Sequence, residues 1–91
     1  MVSQPDVPLA ADTWVNITSG ISASPGDDLI VQNIGSTQIR VETSIGAPAA
    51  DAGDVGLCVN PKKSAQAVTG GSENVWARAI GQPSTAHAEV L

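Results

Sequence analysis

The chain has 91 residues and a formal net charge of −5 at pH 7, a length that fits one domain. Hydrophobic residues make up 42% of it, yet thirteen of these are alanine and the only aromatics are Trp14 and Trp76. The acidic balance argues against phosphate-backbone binding, which needs clustered Lys and Arg; Lys62-Lys63 is the single basic pair, and no segment approaches the ~18 apolar residues of a membrane span.

Residues 1–12 carry Pro5 and Pro8 and no apolar period. Proline fixes φ and disfavours helix for the residue before it, so this segment reads as an extended arm. It lacks the basic start and apolar run of a secretory signal. From Thr13 to Thr18 apolar and polar residues alternate with period two, which predicts a strand. Gly20 to Gly26 is turn-rich, and Ser24-Pro25-Gly26-Asp27 is a good β-turn sequence. Leu29–Ile34 and Thr37–Thr43 predict two further strands, and Gly35-Ser36 between them reads as the two-residue link of a tight hairpin.

Residues 45–54 are rich in Gly, Ala, Pro and Asp and read as a loop. Val55–Val59 predicts a strand stopped by Asn60-Pro61. Ser64–Thr69 predicts a weaker strand, Gly70-Gly71 a turn, Asn74–Ile80 a strong strand and Ala86–Val90 the last one. No stretch shows a capped helical period; the Ala-rich run at 47–53 holds at most one turn. About seven short strands separated by regular turns predict an all-β fold, a single small β-sandwich or jelly-roll-like barrel over residues 13–91, with the extended N-terminal arm over 1–12.

Such a domain buries little. At this length only about 60–65% of the unfolded chain's surface is buried, and the usual remedies are disulfides, a metal or oligomerisation. Cys58 is the only cysteine and His87 the only histidine, which removes an intrachain disulfide and argues against a metal cage. Oligomerisation is the expected route.

The sequence offers no catalytic arrangement. A nucleophile needs a base held beside it; His87 lies in an alternating strand, and no serine sits in a nucleophile elbow. Cys58, in the apolar run VGLCV, reads as a small buried hydrophobe. Asp27-Asp28 and the Asp51/Asp54 pair read as turn chemistry rather than a calcium loop. Thr69-Gly70-Gly71-Ser72 lacks the lysine and helix of a phosphate loop. Neither an enzyme activity nor a cofactor nor a metal is expected.

On the Asn74–Ile80 strand, Trp76, Arg78 and Ile80 share one face, with Val75, Ala77 and Ala79 on the other. Trp76 then belongs either to the core, with Arg78 at its rim, or to an interface, where Trp and Arg are enriched. A strand apolar on both faces is sandwiched or sits at a subunit contact.

Three stretches, WVNIT at 14–18, PGDDLIVQNIGS at 25–36 and NVWARAIG at 74–81, resemble a group of small β proteins encoded near the head genes of tailed bacteriophages, the capsid decoration or cement proteins. The resemblance spans residues 13–81 through a Gly-Asp turn, a strand ending in Gln-Asn-x-Gly and a late strand with an apolar-Trp-Ala-Arg centre. It implies a structural virion protein on the capsid exterior, assembled in the bacterial cytoplasm. Its partners would be itself, as a homotrimer, and the major capsid protein, with no nucleic acid and no membrane. Related modules occur in head fibres and tail tips, so a binding module for a host glycan or protein is the alternative. The contact residues then expected are Pro5, Val7, Pro8 and Leu9 on the arm, with Trp14, Trp76 and Arg78.

Overall fold

In the computed structural model, which describes residues 6–48, 56–69 and 71–91, eight strands and one short helix form two facing sheets. The strands are β1 (Val7–Leu9), β2 (Val15–Asn16), β3 (Leu29–Asn33), β4 (Ile39–Ser44), β5 (Leu57–Val59), β6 (Ser64–Ala67), β7 (Asn74–Ala79) and β8 (Ser84–Val90), with α1 (Ile17–Gly20) after β2. One sheet has the order β1-β8-β3-β6 and the other β2-β7-β4-β5. Every pairing within them is antiparallel. The chain is thus a long hairpin folded over on itself, with β1 beside β8, β2 beside β7, β3 beside β6 and β4 beside β5, the wrapped strand order of a jelly roll.

Period-two alternation sends one half of each strand inward. On the four central strands the buried hydrophobic residues are Leu29 and Val31 on β3, Ile39 and Val41 on β4, Val75, Ala77 and Ala79 on β7, and Ala86 and Ala88 on β8. In each sheet a bulky strand therefore lies beside an alanine strand, and the two layers close over a thin core. This explains the alanine content: at the centre of a two-layer sandwich a methyl group fills the space that the larger neighbours leave.

The sheets have two ends. At one lie the links β1–β2, β3–β4, β5–β6 and β7–β8. At the other, α1 plugs the sandwich with buried Ile17 and Ile21. Residues 17 and 18 were expected in a strand. They turn into a helix instead, because Asn16 caps it: its Oδ1 accepts from the Ser19 N–H at 3.1 Å. Thr18 is buried, and its Oγ1 accepts the Val75 N–H at 2.8 Å, which satisfies the first part of β7 where β2 has ended.

Two expectations need correction. Residues 7–9 are extended, as the prolines suggest, but they are no free arm. They form β1, an edge strand of the first sheet, with Val7 and Leu9 in the core. Pro8 points outward opposite Thr85, and an edge strand is where a sheet tolerates a residue with no N–H. The domain therefore begins by residue 7, not at 13.

The expected hairpin at Gly35-Ser36 is also absent. β3 and β4 belong to different sheets, so the link crosses the end of the sandwich. A primed two-residue turn needs positive φ, and Gly35 is not among the residues that adopt it. Gly35 is required for a different reason: a Cβ there would collide with Ser84 Oγ and lie 2.7 Å from the Thr85 backbone nitrogen.

Asn33 holds this crossing in place. Fully buried, it donates from Nδ2 to the carbonyls of Thr37 at 2.8 Å and Val59 at 2.9 Å. Its Oδ1 accepts from the Ser84 hydroxyl at 3.0 Å and the Gly35 N–H at 3.2 Å. One side chain thus satisfies groups from both sheets, and the Gln-Asn-x-Gly run is a device for changing layers.

Candidate interaction surfaces

The register of the second sheet fixes what its outer face presents. Trp76 lies opposite Glu42 and Asn16, and Arg40 lies between Arg78 and Cys58. Cross-strand partners share a face, so Trp76, Arg78, Arg40, Glu42 and Cys58 stand together on the side away from the core. The small residues of β7 face in and the large ones face out.

Trp76 is half-buried there, and its Nε1–H donates to the Ser44 carbonyl at 3.1 Å. Arg78 lies low along the sheet with 12% of its side chain exposed, its Nη2 3.8 Å from Asp12 Oδ1. Asp12 also accepts the Gly81 N–H at 3.1 Å and gives its own N–H to the Ala79 carbonyl at 2.8 Å. The β1–β2 link is thereby tied to the end of β7, beside the arginine.

The expected contact residues separate accordingly. Trp76 and Arg78 are brought together on one outer face, and Trp14 is half-buried in the link before β2. Pro8 is exposed on the other sheet. Val7 and Leu9 are core residues and offer no contact surface, which corrects their place among the contact residues. Pro5 lies outside the described residues. Cys58, expected in the core, is exposed on edge strand β5, where only Val59 is buried and Leu57 is itself 56% exposed.

The remaining chemistry-bearing residues have structural partners. Asp27 Oδ2 accepts the Ser24 N–H at 3.0 Å, the turn chemistry read from the sequence, whereas Asp28 Oδ1 accepts the N–H of distant Thr69 at 2.9 Å; Asp51 and Asp54 lie outside the described residues. His87, on the outer face of the first sheet, donates from Nδ1 to Asp6 at 2.9 Å, with Nε2 3.7 Å from Glu89. This pairing fastens the start of β1 to β8. Among the described residues no three His, Cys, Asp or Glu side chains converge as metal ligands would, and no helix is long and apolar enough to cross a membrane.

Sequence reasoning missed two surface features. A cleft of about 290 Å³ opens where edge strands β5 and β6 part, lined by Val41, Leu57, Ala67 and Val68 among others. A second, of about 250 Å³, lies against the end of β3 between Ile34, Gln32, Lys62, Lys63 and Ser64. Neither is local in sequence. The basic pair is the only trace of the second, and nothing short of the strand order reveals its apolar wall. Comparison with protein-family models, with curated proteins and with solved structures finds no match.

Proposed function

We propose that this protein is a structural virion component that decorates a tailed-phage capsid, binding the major capsid protein as a homotrimer. One observation carries the reading: the strand that centres the second sheet turns Trp76 and Arg78 outward and buries alanine. Trp and Arg are the residues most enriched where interfaces hold their energy, and a chain with two aromatics gains most stability by burying them. Trp76 is placed to complete its burial against a neighbour. The three stretches that resemble decoration proteins include this strand.

The proposed role needs a small rigid subunit with separate surfaces for its own copies and for the shell. The isolated chain exposes 4754 Å², of which a standard contact of about 800 Å² per partner takes roughly one sixth, so the subunit has room for several. Repeated contacts in a symmetric assembly compensate for a modest affinity per chain.

Light scattering on the purified protein should give a mass near three subunits at micromolar concentration. Trp76→Ala should keep the fold while weakening trimerisation or pull-down by undecorated capsids at least tenfold. A monomer at every accessible concentration, or a chain missing from purified virions by mass spectrometry, would overturn the proposal.

A further inference from the structure

Among the described residues, the two lysines and a group of four carboxylates lie at opposite ends of the domain. Two backbone bonds, Lys62 N–H to the Asn33 carbonyl at 2.8 Å and Asn33 N–H to the Lys63 carbonyl at 2.9 Å, set both lysines over the end of β3. Both are exposed, beside Ile34, which is 50% exposed. At the start of β3, Asp28 is bonded to Thr69, the Gly26 N–H donates to the Glu73 carbonyl, and Glu89 lies opposite Ile30. This end therefore gathers Asp27, Asp28, Glu73 and Glu89. It too has an apolar rim, with Val90 47% and Val68 66% exposed.

The other cations do not cancel this polarity. Arg40 and Arg78 lie on the outer face of the second sheet, Arg78 against Asp12; His87 lies between Asp6 and Glu89 on the outer face of the first. From Leu29 to Asn33 the strand rises about 14 Å, beyond the Debye length of roughly 8 Å at physiological salt. The two ends of one molecule therefore scarcely neutralise each other, whereas the ends of two molecules can meet at contact distance.

We propose that subunits associate head to tail, the Lys62–Lys63 cleft of one copy receiving the acidic end of the next. The inference rests on the oligomeric reading above and names the surfaces that build the oligomer. The occupant is a second copy because the acidic end supplies what the cleft lacks: carboxylates for the two ammonium groups and Val90 and Val68 for Ile34. A contact between two different patches is heterologous, and it closes into a ring when its rotation allows, which is what a trimer requires.

The test is the mass of the full chain by light scattering across salt and variants. In the wild type, raising NaCl from 0.1 to 1 M, which shortens the Debye length from about 10 to 3 Å, should weaken association. The exposed pair K62E/K63E should leave circular dichroism unchanged and weaken association at least tenfold. Mixing K62E/K63E with E73K/E89K should restore association as species that contain both variants, since two of the three contacts in a 2:1 ring join unlike chains, while neither variant associates alone. A wild-type oligomer that ignores both salt and K62E/K63E overturns the head-to-tail contact and leaves the oligomeric reading standing. Association that weakens but is not restored by mixing overturns the pairing of these two ends. A wild type that is monomeric throughout overturns both.

Discussion

Removing the Leu9 side chain tests the claim that residues 7–9 belong to the core. Leu9 is 1% exposed and is among the largest fully buried side chains. Truncating such a leucine to alanine removes its transfer free energy and leaves a cavity, together about 3–4 kcal/mol at a site that cannot collapse. The space is hard to refill because the β8 residues paired with the inward positions of β1 are Ser84 and Ala86, side chains too short to reach into it. An unfolding entropy of about 2.1 cal/mol/K per residue gives ~0.19 kcal/mol/K for the whole chain. Leu9→Ala should therefore lower the melting temperature by roughly 15–20 °C. Calorimetry at matched protein concentration reads this directly, with Pro8→Ala as the control: Pro8 is exposed, and its replacement should stay within about 0.5 kcal/mol. A shift below about 5 °C for Leu9→Ala would show that β1 is dispensable to the fold.

Three other outcomes follow from the crossing between sheets and from the exposed edge. Gly35→Ala should cost about 1–3 kcal/mol by denaturant titration, since its Cβ meets the backbone nitrogen of Thr85 at 2.7 Å and overpacking moves backbone; an unchanged midpoint would mean that the link can shift. Asn33→Asp removes the two Nδ2 donations to Thr37 and Val59 and leaves buried carbonyls facing a carboxylate, so urea titration at pH 7 should show a loss of about 3 kcal/mol or more, and a loss under 1 kcal/mol would refute the role of Asn33 as the link between layers. Cys58 should react with a thiol reagent in the native protein as fast as in the urea-unfolded chain within about tenfold, because it is exposed on an edge strand; protection by several orders of magnitude would place it in an interface.

Much of the fold was legible locally. Period-two alternation marked most of the strands, and Asp27 read as a turn residue because a short carboxylate accepts a nearby backbone N–H, here that of Ser24. The hidden parts all depend on distant partners. Val7-Pro8-Leu9 is too short to show a period, and its proline obscured a strand that Thr85 and Ala86 complete from the other end of the chain. Ile17 and Thr18 read as strand residues because the helix cap supplied by Asn16, the last residue of β2, shows only in its bond to the Ser19 N–H.

What the chain determines by itself is the local alternation: two faces for each strand, breaks at the Gly, Pro and Asp clusters, and side chains too small for a deep core. What only the tertiary structure decides is which face turns inward and which strands meet. In isolation the Trp76 face of β7 fits either core or interface; Val75, Ala77 and Ala79 go in because Leu29, Val31, Ile39 and Val41 already fill the space between the sheets. Likewise Gly35 reads as a hairpin until Asn33 and Ser84 draw the chain across to the other layer. The physical reason is the same in both cases: packing volume and buried hydrogen bonds are properties of the assembled pair of sheets, and no single strand carries them.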